Sequence, residues 1–292
     1  MSTLEQVTQD RADAAEGAEG AAPEAERTEP RTDPEKVRLE WIASLTDPAT
    51  FRYLEQIGVG QGWHCAEVGA GAGSVARWLS SRVGQFGTVL ALDTETAHME
   101  GLSAPNLEIR RQDITRTPLE KGAYDLVHAK ILLMHLEERE RVLGEFVAAL
   151  KPGGYLLVEE ADIRSIQRTD PPSPLLTRAA SALETFFYFG GADPGYGMKL
   201  LPAVRRTGLK VLGTDCQLTA VQAGTPAVQT VSMSLAKLAP MIVKAGLMGR
   251  QEVDAAFELL EKPSDMVVYT PVTVSVWGRA EPGEGPRDGT GA

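Results

Sequence analysis

Glu67, Asp93 and Asp113 each close a short apolar run, and a glycine-rich turn follows the first as Gly69-Ala70-Gly71-Ala72-Gly73-Ser74. Glycines at alternate positions let the backbone fold tightly and let a ligand lie against it without meeting Cβ atoms. That shape suits a nucleotide-like ligand at the carboxyl end of a first parallel strand. Glu67 narrows the ligand, because a carboxylate beside the loop repels a pyrophosphate and attracts an ammonium group. Asp93 lies 20 residues after Gly73, where a ribose-binding carboxylate is expected, with Thr94 beside it. Asp113, followed by Ile114, can accept a hydrogen bond from an exocyclic adenine amine. Asp113-Ile114-Thr115 also reads as a plain turn. Met99 reads either as a packing group on the adenine face or as a core methionine. A dinucleotide fold would need its third glycine three residues after the second, and Ser74 stands there.

A second set of residues could act on an acceptor. His128 closes a fourth apolar run, Tyr124-Asp-Leu-Val-His128. Its backbone carbonyl can bind an ammonium and its imidazole can serve as an acid or base. His135 lies seven residues on, two helical turns along if a helix follows, and reads as structural. Asp162 follows a fifth strand and reads as an acceptor-binding group or general base, since a carboxylate in a closed cleft gains a raised pKa. Glu159 and Glu160 point to opposite faces of that strand, so one of them should avoid the core. Phe186, Phe187, Tyr188 and Phe189, then Tyr196 after a Gly-Gly-Ala-Asp-Pro-Gly loop, form an aromatic cluster. Consecutive helix positions cannot all face one core. Phe187, Tyr188 and Tyr196 are therefore candidates for an acceptor pocket, and a dimer contact would use the same rings.

These strand ends resemble the class I S-adenosylmethionine (SAM)-dependent methyltransferases over roughly Arg38 to Arg279. The carrying motifs are Glu67 to Gly73, Asp93, Asp113, the stretch Tyr124 to His135, and the block Leu150-Lys-Pro-Gly-Gly-Tyr-Leu-Leu-Val-Glu-Glu-Ala-Asp162. The last two look like a bacterial small-molecule branch with members in natural-product pathways, an indole C3-methyltransferase among them. Lys130 departs from this branch, which often has Arg there; lysine offers a point charge rather than a bidentate fork. The resemblance implies an α/β fold with a Rossmann-like, seven-stranded, mostly parallel sheet, a helical N-terminal cap and helical lid insertions. It implies SAM as cofactor, S-adenosylhomocysteine (SAH) as product, and methyl transfer by direct displacement to a small, aromatic, indole-like acceptor. O-, N- and C-methylation share this cofactor site. Two alternatives stay open: a SAM-binding protein without methyl transfer, and a peptide or protein methyltransferase.

The elements that must position these residues follow from the pattern. Residues 1–34 hold nine acids and three bases with few large apolar side chains, which predicts a disordered acidic tail. Residues 281–292 read the same way. Residues 35–280 form the catalytic domain, with insertions at about 163–207 and 224–261. Glu35 to Ile57 reads as one or two helices broken at Asp47-Pro48. Further helices are expected near 75–83, 175–189, 200–207, 227–245 and 251–260, and strands at Lys210 to Leu218 and Met266 to Gly278. The net charge of −11 argues against general nucleic-acid binding. Two cysteines without metal or disulfide spacing, and no apolar run of ~18 residues, predict a metal-free cytoplasmic enzyme that neither spans a membrane nor carries a secretory signal.

Overall fold

The structure, a computed structural model, describes residues 33–281. The chain opens with α1 (Pro34–Ile57), then β1 (His64–Val68), α2 (Ser74–Val83), β2 (Thr88–Asp93), β3 (Leu107–Arg111) and β4 (Tyr124–Lys130). It continues through α3 (Arg139–Ala149), β5 (Leu150–Asp162), the short β6 (Thr169–Asp170), α4 (Pro174–Phe189), α5 (Gly197–Arg206) and β7 (Lys210–Gln217). It closes with β8 (Ala220–Gln222), α6 (Gln229–Lys244), α7 (Arg250–Glu261), β9 (Val267–Tyr269) and β10 (Val272–Arg279).

Seven strands form one sheet in the order β3-β2-β1-β4-β5-β10-β7. β1 to β5 pair in parallel, and β10 runs antiparallel between β5 and β7. This is the Rossmann-like, mostly parallel sheet that the sequence predicts. Its central strands are apolar almost throughout because helices cover both faces. On one face Val68, Val127, Leu156 and Val276 pack with Leu143 and Phe146 of α3 and Leu200 and Val204 of α5. On the other, Cys65, Ala91, Leu126 and Leu157 pack with Tyr53 and Leu54 of α1 and Leu79 and Val83 of α2. A third apolar body joins α4, α6 and α7 to a small sheet ordered β6-β9-β8. No helix among the described residues is long and apolar enough to cross a membrane.

Several expectations change. The tails 1–34 and 281–292 lie outside the described residues, except Asp33, Pro34 and Glu281. Pro34 opens α1, where its missing N–H costs nothing, and Asp33 caps the helix by accepting from Glu35 N at 2.9 Å. α1 does not break at Asp47-Pro48; Pro48 lies inside it, with Asp47 anchored to Lys130. The predicted 163–207 insertion is only partly a lid, because α5 belongs to the main core. The predicted strand Met266 to Gly278 splits at Thr270-Pro271 into β9, in the small sheet, and β10, in the large one. No helix follows β4 directly. Ile131 adopts φ 53°, the chain turns out of the sheet, and a single 3-10 turn spans Leu133–His135.

α5 docks closely because Gly197 carries no side chain. A Cβ there would lie 2.9 Å from Ala161 C, Asp162 N and Glu160 O, all backbone atoms of β5. Backbone cannot swing aside as a side-chain tip can. Gly197→Ala should therefore destabilise the protein by about 1–3 kcal/mol, the cost of overpacking, read as a lowered denaturant midpoint at unchanged slope.

Candidate active site

The carboxyl ends of β1, β2, β4 and β5 open onto one cavity of about 740 Å³ that α1, α4 and α6 close from above. At its polar end lie Glu67, Gly69, Gly71, Asp93, Thr94, Asp113 and Ile114. At its apolar end lie Ile42, Ile163, Leu183, Phe187 and Leu238, with His135 among them.

The glycine loop is built by the strands beneath it. Gly69 N and Ala70 N donate to Leu92 O of β2 at 2.8 and 2.9 Å. Gly71 N donates to Asp93 Oδ2 at 2.8 Å, and Glu95 N donates to Asp93 Oδ1 at 3.0 Å. Asp93 thus ties the loop to β2 and keeps further lone pairs for a ligand's hydroxyls. Gly69 and Gly71 sit at φ 75° and 56°, where a side chain would be strained. Gly73, at φ 79°, has a further reason. A Cβ there would meet Leu102 at 2.6 Å and Met99 at 3.1 Å, so it packs beneath the loop and does not line the cavity. Met99 is a buried core residue, away from the cavity lining. Asp113 accepts from Thr115 N and Thr115 Oγ1 at 2.9 and 2.7 Å, and these bonds hold its carboxyl below the usual range. It is both turn former and cavity residue.

His128 is not at the cavity. The parallel register sets Glu67 beside His128, and Glu159 two residues beyond Leu157, the partner of His128. All three side chains share one sheet face and are buried. Glu67 Oε2 lies 2.5 Å from His128 Nδ1, and Glu159 Oε2 lies 3.1 Å from His128 Nε2. Thr50 Oγ1 and Ser275 Oγ donate to Glu159 at 2.6 and 2.7 Å. Burial alone would lower the His128 pKa, but the flanking carboxylates overcome it and push it up to about 9. An imidazole locked between two carboxylates and out of the cavity cannot be an acceptor's acid or base.

Asp162 is also displaced. It is buried, forms a two-pronged pair with Arg164 at 2.9 and 2.5 Å, and caps the turn at 163–167 through Arg164 N. Its neighbours Ala161 and Ile163 line the cavity instead. Tyr196 is buried against α3, its hydroxyl 3.3 Å from Glu140 Oε1, and Tyr188 is exposed on the outer side of α4. Of the aromatic candidates only Phe187 reaches the cavity. Neither Glu159 nor Glu160 avoids the core. Glu160 accepts from the backbone N–H groups of Leu132, Leu133 and Met134 at 3.1, 2.7 and 3.2 Å. Burial nevertheless raises it to about 7.

His135 is the cavity residue that sequence reasoning passed over. Its turn is pinned by Glu160, and Leu132 packs against Gly69 of the glycine loop. Its ring stands 5.7 Å from that of Phe187. Among the described residues its ring nitrogens have no hydrogen-bond partner. Burial, then the charges of Arg38 and Lys237, push its pKa down to about 4, so the ring is neutral at pH 7. The spacing to His128 was the available signal, but it pointed to a helix that does not form.

Residues 66–158 match a family model described as a methyltransferase domain. They carry a methyltransferase domain. "Methyltransferase str2" of Strobilurus tenacellus is 27% identical over 150 residues, covering 51% of this chain and 54% of that protein. The ubiquinone/menaquinone biosynthesis C-methyltransferase UbiE of Laribacter hongkongensis is 29% identical over 116 residues, covering 37% of this chain and 46% of that protein. The match spans about half the length of these curated relatives. In fold, the methyltransferase domain and its surroundings resemble the Haemonchus contortus phosphoethanolamine N-methyltransferase 2 complexed with S-adenosylhomocysteine. The TM-score is 0.51 at 14% identity, covering 86% of this chain and 58% of that one.

The neutral state of His135 has a measurable cost in acid. Its folded pKa lies below the ordinary 6.5, so the unfolded chain takes up the proton first. Stability is lost as pH falls from about 6.5 towards about 4. Relative to His135→Gln, the native protein should lose up to about 3 kcal/mol over that window, measured by denaturant unfolding at each pH.

Proposed function

We propose that this protein transfers the methyl group of SAM to a small, flat, largely apolar acceptor, such as a phenol or an indole. The observation that carries the reading is the continuity of one cavity, polar and acid-lined at the glycine loop, apolar around His135 and Phe187. The residues present fit the donor. Glu67 suits an ammonium, Asp93 the ribose hydroxyls, and Asp113 with Ile114 the adenine edge. Three acids at this end disfavour a dinucleotide's phosphates. When bound, SAM supplies a methyl group on a positively charged sulfur.

The chain's own work is placement and exclusion of water. α1, α4 and α6 wall the acceptor end with aliphatic side chains, and the Phe187 ring offers a face for stacking. Such confinement turns an encounter into a held geometry, which is where most of the rate of a direct displacement arises. His135, neutral and lining the cavity, can accept a hydrogen bond from an acceptor hydroxyl or N–H and so orient it. Its turn is rigid before any ligand arrives, because Glu160 and the Asp193 N to Met134 O bond at 2.8 Å hold it. A relative named as a C-methyltransferase supports carbon as a further acceptor atom.

SAH should bind in the micromolar range, about −8 kcal/mol by calorimetry. Asp93→Ala should weaken it by about 1.5–3 kcal/mol, through loss of charged hydrogen bonds. Label from methyl-tritiated SAM should pass to members of a phenol and indole panel, and Phe187→Ala should raise the acceptor KM while leaving SAH affinity intact. Tight NAD binding without SAH binding would refute the reading.

A further inference from the structure

The charged chain beneath the glycine loop is larger than packing requires. Glu67, His128 and Glu159 come from three adjacent strands, Thr50 and Asp47 from α1, Ser275 from β10 and Lys130 from the end of β4. Of these, only Glu67 and Lys130 line the cavity. The donors fix where protons lie. Glu159 receives two hydroxyl donors and one ring nitrogen, so it is an acceptor throughout. His128 faces a carboxylate at each ring nitrogen. It can serve both only as an imidazolium, unless Glu67 carries the shared proton instead.

Glu67 is the member whose state matters to a ligand. A carboxylate this buried is pushed up by desolvation, and the charge on His128 opposes that push. Lys130, paired with Asp47 and 3.5 Å from Thr50 Oγ1, is the other cation facing the cluster. The buried Cys65 thiol, two residues before Glu67, is held neutral by burial. With all members ionised, the group Glu67, His128, Glu159, Lys130 and Asp47 carries one surplus negative charge, and Glu67 presents it to the cavity.

We infer that His128 and Glu159 are positioning residues that keep Glu67 ionised and aimed at the ammonium group of the methyl donor. The inference rests on the proposed function and deepens it. Affinity for the donor then depends on a proton held one residue behind the wall of the site. The contacts run in series: Thr50 and Ser275 hold Glu159, Glu67 and Glu159 together hold the charge on His128, and His128 in turn favours the charge on Glu67.

The test is calorimetric titration of the full chain with SAH from pH 6 to 8, in phosphate and in Tris, whose different ionisation heats count protons exchanged. The native protein should bind SAH with almost no proton exchange and a flat Kd. His128→Gln should bind at least about tenfold more weakly at pH 7, releasing close to one proton per SAH as Glu67 ionises, and should recover as pH rises. Glu159→Gln, nearly isosteric, should shift in the same direction by less. Unchanged, pH-independent binding in either folded variant overturns the inference. If neither variant folds, nitrogen NMR of the native protein decides: both His128 ring nitrogens should be protonated at pH 7, and a neutral ring overturns it. Failure of the native protein to bind SAH would instead sink the methyl-donor reading, while the NMR result still reports the charge chain on its own.

Discussion

A carboxylate taken out of water must find donors, and Glu67, Glu159 and Glu160 find theirs in three different ways. Glu160 uses backbone alone, collecting three N–H groups from the turn after β4. Glu159 uses two hydroxyls and an imidazole. Glu67 uses the same imidazole on one side and opens to the cavity on the other. These solutions dictate much of the site. The turn that presents His135 exists in its present form because Glu160 needs donors. α1 is drawn against the sheet by Thr50 and by the Asp47–Lys130 pair, and it thereby roofs the cavity. Breaking one partner of such a buried group costs more than the pair contributes, since the other is left uncompensated.

The division of labour between the faces of β5 follows from its pleat. Glu159 points towards α1 and α2, Glu160 towards α3 and α5. One alternation therefore serves the polar end of the cavity through Glu67 and the apolar end through His135. The two ends of the cavity are organised by adjacent residues of a single strand.

The sheet was legible in the sequence because each parallel strand is an apolar run closed by an acid or a turn. The acids at Glu67, Asp93 and Asp113 could be read for the same reason: their neighbours in sequence are their neighbours in space. What escaped were roles decided by partners far along the chain. His128 looked like a site residue because it ends a visible pattern, yet β4 continues to Lys130 and the ring meets Glu67 and Glu159 across the sheet. His135 looked structural because a helix was expected, and one positive φ at Ile131 changes where it points. Asp162 was claimed by Arg164, two residues away, a local pairing that strand-end reasoning did not weigh. In the aromatic run, helical geometry lets one residue in three or four face a given surface, and Phe187 is that residue.

Four chain crossings join the body of α4, α6 and α7 to the large sheet, and they lie side by side. Ile163 N donates to Pro194 O at 2.8 Å, Val272 N to Ser165 Oγ at 2.8 Å, and Thr270 N to Thr219 O at 2.9 Å. The same body also rests on α1, where Lys237 of α6 meets Glu35 at 2.7 Å, so it is held from two sides. Its apolar interior is a cluster separate from the two that back the large sheet, so its packing is its own and not that of the strands beneath the glycine loop. Such an arrangement gives the cavity a roof, in α4 and α6, whose packing is distinct from that of the floor on which the glycine loop is built.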